Sequence, residues 1–278
     1  MPTRIVSFGG SSVRIDYDGP DTERVVDFLY RDLAHDGRTP PHVIFSLQRK
    51  HETFILRCGR EHRYEGTSAA VAAAILLDAS IFHLADQSRD GVLLHAGAVR
   101  CSGGCLMLPG KTGAGKTTLT AWLTTQGFGY LTDELVHLPL GSLGVQFLKR
   151  PLNVKAHGRQ ALAAAIDFGR ADTVLAGPNI TLVRPPQCDP HPESSAALPL
   201  ARLVFPRYDG VGPFQLMPLT KAQAALRLTE CLINARNLPA HGFHEVARIS
   251  RAAPAYDLRY SAFDQLDAWV ASLADAVG

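Results

Sequence analysis

Leu106-Met107-Leu108-Pro109-Gly110-Lys111-Thr112-Gly113-Ala114-Gly115-Lys116-Thr117-Thr118 is the stretch on which the fold turns. Its apolar start reads as a buried strand, and the pattern G-x-x-x-x-G-K-T runs from Gly110 to Thr117. Helix-favouring residues follow, Leu119-Thr120-Ala121-Trp122-Leu123. Strand, glycine loop and helix in that order are the context of a phosphate-binding loop. Gly110, Gly113 and Gly115 let the backbone turn and bring N–H groups against phosphate oxygens without an intervening Cβ. A helix starting near Lys116 adds the partial positive charge of its N-terminus. Lys116 is in position to reach β- and γ-phosphates, and the Thr117 hydroxyl to ligate Mg²⁺. Residues Gly110, Lys111, Thr112, Gly113, Ala114, Gly115, Lys116, Thr117 and Thr118 are therefore expected to form a nucleotide site.

Two neighbouring segments carry further chemistry. Val92 to Arg100 reads as a strand with His95 in its middle, pairing with Cys105–Leu108 through a tight turn at Ser102-Gly103-Gly104. Tyr130-Leu131-Thr132-Asp133-Glu134-Leu135-Val136-His137-Leu138 sets two carboxylates inside an apolar run. Beside a phosphate loop, such acids hold a metal ion or accept a proton. Asp133 and Glu134 are the candidates for both roles, with Thr117 as a third metal ligand.

Composition bounds the rest. The chain has 278 residues, 46% hydrophobic and 19% charged, with a formal net charge of +2, which is the make-up of a globular protein with a substantial core. No basic run marks a nucleic-acid surface. Five scattered cysteines, Cys58, Cys101, Cys105, Cys188 and Cys231, fit reduced thiols in the cytoplasm. The N-terminus lacks a secretory apolar core. The most apolar segment, Ala69 to Ala85, is broken by Asp78 and His83 and is expected to be a buried helix rather than a membrane span.

Along the chain, residues 1–66 read as a β-rich region and 67–278 as the domain carrying the loop. Thr67 is expected to cap the apolar helix, and Ala161–Ile166 to form a short one. The Pro- and Ser-rich stretch 177–199 reads as loop-bearing and mobile. Thr220 caps a helix over Ala222–Ile233, and helices near His241–Arg251 and Ala262–Leu273 close the chain. The expected class is α/β, with a mixed sheet around the loop and a helical C-terminal cap.

Taken together, Leu94-His95-Ala96-Gly97, the loop Gly110–Thr117, the pair Asp133-Glu134 and Arg150-Pro151-Leu152-Asn153-Val154-Lys155 resemble HPr kinase/phosphorylase. They are closer still to the HPr-kinase-like kinases found beside peptide-modifying enzymes. The likeness covers roughly residues 90–160. It implies the P-loop kinase core shared by the HPr kinase C-terminal domain and the phosphoenolpyruvate carboxykinases. It also implies ATP and Mg²⁺, and transfer of the γ-phosphoryl group to a hydroxyl, serine above all, of a protein or peptide. On that basis Asp133 is the first choice for the base with Glu134 as the metal ligand, or the two exchange roles, and His95 orients Asp133 or helps position the acceptor. Arg150 and Arg207 are candidates for supporting the transferring phosphate. The family's acidic pair is Asp-Asp where this chain has Asp133-Glu134. Its additional Mg²⁺-binding Glu has no counterpart in Phe147-Leu148-Lys149-Arg150-Pro151. Neither a nucleic acid nor a membrane is expected as a partner, and a homo-oligomer is compatible with the reading. A carboxykinase-like small-molecule phosphotransferase and a catalytically silent ATP-binding regulator are the competing functions.

Overall fold

The computed structural model describes residues 1–33, 39–185 and 197–274. Cys188 and residues 186–196 of the expected mobile stretch lie outside them. In chain order the elements are β1 (Thr3–Phe8), β2 (Ser11–Tyr17), α1 (Pro20–Tyr30), β3 (Val43–Lys50), β4 (Thr53–Cys58), β5 (Glu61–Gly66) and α2 (Ala69–Gln87). Next come β6 (Gly91–Cys101), β7 (Gly104–Pro109), α3 (Lys116–Thr125), β8 (Gly129–Thr132), β9 (Leu135–Pro139) and β10 (Gly144–Phe147). They are followed by β11 (Leu152–Asn153), α4 (Ala156–Leu162), β12 (Val174–Ala176), β13 (Thr181–Val183) and β14 (Leu198–Tyr208). The chain ends with β15 (Gln215–Pro218), α5 (Lys221–Thr229), α6 (Phe243–Ala252), β16 (Ala255–Tyr260) and α7 (Asp267–Ala274). The protein is mixed α/β, and it divides into two compact units, residues 1–89 with 149–186 and residues 90–148 with 187–278. The expected boundary at residues 66 and 67 falls inside the first unit.

In the first unit, β1 to β5 form one sheet in sequence order. Alternation puts Val13, Ile15, Phe45, Leu47, Phe54 and Leu56 inside. Helix α2 packs on this sheet through an alanine- and leucine-rich side, while Asp78 and Phe82 stay exposed. At 19 residues it is long and apolar enough to cross a membrane by length and composition, contrary to expectation, and half of the apolar window is buried here. Its cap is Ser68, whose Oγ accepts the Val71 N–H at 3.3 Å, rather than Thr67. Helix α4 starts five residues earlier than expected, because Lys155 is already extended after β11 and the chain turns at Ala163–Ala165. Thr181–Val183, inside the stretch expected to be loop, is a strand between β11 and β12.

The second unit is built on an eight-stranded mixed sheet ordered β10-β9-β6-β7-β14-β16-β15, with β8 also on β6. Strands β7, β14 and β16 are mutually parallel, and β6 runs antiparallel to β7 through the expected two-residue turn. β16 falls between the two closing helices expected near His241–Arg251 and Ala262–Leu273, where no strand was expected. It inserts between β14 and β15 with a six-residue register, Leu203↔Ala255 to Tyr208↔Tyr260. Val92, Leu94, Ala96 and Ala98 of β6 join a core with Leu228, Val246 and Ile249 of α5 and α6. Gly97 lies on the other face, where a Cβ would meet Thr120 Oγ1 of α3 at 2.3 Å. Strands covered on both faces read as unbroken apolar runs, as β6 and β7 do.

β6 is paired along both edges by four partners. β9 covers 91–95 and β8 covers 98–100 on one side; on the other, β7 covers 96–101. The remaining edge is taken by residues 231–234: His95 N–H donates to Cys231 O at 2.8 Å and Ile233 N–H to Leu93 O at 2.9 Å. The buried Asn234 side chain completes this ladder, accepting the Leu93 N–H and donating to Gly91 O, both at 2.9 Å. Asn234→Ala strands both backbone groups and is expected to cost about 2–4 kcal/mol. Denaturant unfolding with an unchanged slope would report it, and a loss below about 1 kcal/mol would refute this role.

Candidate functional site

The site forms at one level of β6. On one edge β7 reaches its last ladder pair at Ala96↔Pro109 and leaves as the glycine loop. On the other edge the strand is interrupted between Ala98↔Thr132 and His95↔Leu135, and the interruption is Asp133-Glu134. Glu134 O accepts the Ala96 N–H at 3.1 Å. Two strand spacings therefore separate Pro109 from Glu134, roughly 10 Å of backbone, with His95 and Ala96 between them.

The loop leaves a buried strand and enters α3 in six residues. Gly113 and Gly115 hold φ of 89° and 90°, in the left-handed region that glycine adopts without strain. A Cβ on Gly115 would also stand 3.2 Å from Tyr208 Cβ. Gly115 sits at the cap position of α3 with no side-chain acceptor, and the first turn contains no acid. The N-terminal amides and the dipole of α3 are thus open to an anion. Lys116 is only 5% exposed, and its ammonium donates to Lys111 O at 3.0 Å, folded back onto the rim of its own loop. Thr117 and Thr118 follow in the first turn, half-buried.

The two carboxylates sit in different surroundings. Asp133 is 2% exposed and accepts the phenol of fully buried Tyr130 at 3.3 Å. Glu134 is half-buried, with a carboxylate oxygen 3.0 Å from His95 Nδ1, which also lies 3.3 Å from Glu134 O. Facing two acceptors, Nδ1 carries a proton. His95 therefore orients Glu134. Thr132 Oγ1 accepts the N–H groups of Glu134 and Leu135 at 3.3 and 3.5 Å and holds the bend.

Segment 230–231 closes the other side of the loop. Glu230 pairs with Lys111 at 3.3 Å. The Cys231 thiol is buried and accepts the Gly110 N–H. Burial pushes it up to about 11, with the Lys116 and Lys111 charges opposing, so it stays protonated at neutral pH. Arg207 is exposed at the end of β14, next to Tyr208. Arg150 belongs to the first unit, where it is buried and donates to Pro151 O. Glu230, Cys231, Tyr208 and Tyr260 were not singled out in the sequence. Only Tyr208 has a local cue, the Asp209-Gly210 turn that follows it.

Among the described residues, no cluster of three or more His, Cys, Asp or Glu side chains forms a metal cage. Thr117 with one carboxylate is a donor set of the kind that holds Mg²⁺ when phosphate oxygens and water complete the shell. No protein-family model matches the chain, and no curated protein sequence matches it significantly. The site is read from its own chemistry.

Gly115→Ala is expected to lose about 1–3 kcal/mol of stability. Gly127→Ala, at φ 97° with open space around its Cβ, bears the same backbone cost without the contact. Equal losses in thermal unfolding would remove the packing of Tyr208 on the loop as a constraint.

Proposed function

We propose that this protein is an ATP-dependent kinase with an HPr-kinase-like P-loop core, transferring the γ-phosphoryl group to a hydroxyl of a protein or peptide. The observation that carries the reading is the glycine loop between β7 and α3, which opens an uncapped helix N-terminus with the Lys116 ammonium folded onto its rim. An uncapped helix N-terminus with an ammonium beside it favours an anion.

On this reading Lys116 and the amides of Gly113 and of 115–117 bind the β- and γ-phosphates and align them. Thr117 and Asp133 would hold Mg²⁺, which when bound neutralises charge on the phosphates. Glu134, the more accessible carboxylate, accepts the proton of the acceptor hydroxyl. His95 keeps it oriented through Nδ1. Of the two arrangements open for the acids, this takes Glu134 as the base, because His95 supports Glu134 and Asp133 is enclosed with Tyr130. A cytoplasmic location fits an ATP-consuming reaction and free cysteines.

Phosphate transfer from ATP with Mg²⁺ to candidate peptides of the same organism tests this directly. Lys116→Ala is expected to lose about 100-fold or more in rate. Glu134→Gln is expected to lose roughly 10²–10⁴-fold with ATP affinity retained. Tight ATP binding without transfer to any acceptor, unchanged in Glu134→Gln, would favour the silent regulator. Transfer to a small carboxylic acid alone would favour the carboxykinase-like enzyme.

A further inference from the structure

Four aromatic rings run in a chain through the second unit to the rim of the glycine loop. Trp122 of α3 stacks on Phe263, with centroids 4.8 Å apart and planes parallel. Phe263 stacks on Tyr260 at 6.1 Å, and Tyr260 meets Tyr208 edge-on at 5.6 Å. Trp122 and Tyr260 are buried, whereas Tyr208 ends the chain 54% exposed. An exposed tyrosine on its own is ordinary. This one is held in place from every covalent side.

Its backbone N–H donates to Ala114 O of the glycine loop at 3.4 Å, and its Cβ abuts Gly115. The following turn is anchored as well: Asp209 N–H donates to Tyr260 O at 3.3 Å. Ser261 Oγ and Gln265 Nε2 both donate to Gly212 O, at 2.8 and 3.3 Å. The ring is thus presented at the shared carboxyl edge of β7, β14 and β16, the edge at which parallel sheets take ligands. It stands beside the loop on rigid supports and leaves a face to solvent.

We infer that Tyr208 is the platform on which the nucleobase of the bound nucleotide stacks. The inference rests on the kinase reading, because it needs a nucleotide whose phosphates occupy the loop. A planar base extends the ladder by one ring, and stacking of this kind adds binding without adding a hydrogen-bond code. Preorganisation of the ring keeps the ordering cost low.

Titration calorimetry with Mg²⁺-ATP and with Mg²⁺-tripolyphosphate, which has the phosphates and no base, separates the two claims. The wild type is expected to hold ATP about tenfold or more tighter than tripolyphosphate. Tyr208→Ala is expected to lose about that factor for ATP alone, with tripolyphosphate affinity and thermal stability unchanged, and Tyr208→Phe to keep it. Equal affinity for the two ligands in the wild type, or a parallel loss of both in Tyr208→Ala, would overturn the platform and leave the phosphate loop standing. A defect of Tyr208→Ala in peptide phosphorylation with ATP affinity intact would assign the ring to the acceptor and overturn it too. Tripolyphosphate binding that is absent, or indifferent to Lys116→Ala, would instead remove the nucleotide reading itself.

Discussion

The peptide groups of β6 must all be satisfied, and that requirement shapes the second unit. Eleven residues of apolar strand are covered on both faces, where an unpaired N–H or C=O is costly. β7 cannot satisfy the whole of one edge, because it turns away at Pro109, which has no N–H to offer. Residues 231–234 fill the gap, ending in a side-chain amide that imitates a peptide. The repair brings Glu230 and Cys231 to the base of the loop, so the residues around Gly110 and Lys111 follow from a backbone constraint on another strand.

The same strand sets the spacing of the chemistry. Both edges of β6 are interrupted at residues 95–97, by the exit of β7 on one side and by the Asp133-Glu134 bend on the other. Gly97 lets α3 come close at this level, since Thr120 occupies the space a Cβ would need. Loop, helix and acids are thereby fixed to one rigid ladder rather than to mobile connections. Positioning of this kind is what phosphoryl transfer demands, given how little covalent chemistry it asks of the protein.

Much of this was legible in the residues. The apolar runs of β6 and β7 and the glycine turn between them are local signals, and each became the element expected; the glycine spacing falls between β7 and α3. What was not legible depends on long-range pairing. Ala255–Tyr260 alternates weakly, with half-buried positions at Tyr256 and Asp257, so its place between β14 and β15 comes from its neighbours. Which acid faces His95 was illegible for a similar reason: adjacent carboxylates in a bend do not announce which one turns toward the neighbouring strand. Arg150 lies near the loop strand's successors in sequence, yet packs in the other unit.

The contrast between the two acids carries the argument furthest. A carboxylate that is 2% exposed and bonded to a buried phenol is held in one place and is poorly reached by a bulky acceptor. A carboxyl group held in that way suits a cation, whose position must not vary. A half-buried carboxylate backed by an imidazole can take a proton at its outer oxygen while the ring steadies the inner one. A glutamate at 134 has an arm one methylene longer than an aspartate would have. The added reach is absorbed by His95, which anchors the carboxylate and the carbonyl of the same residue together.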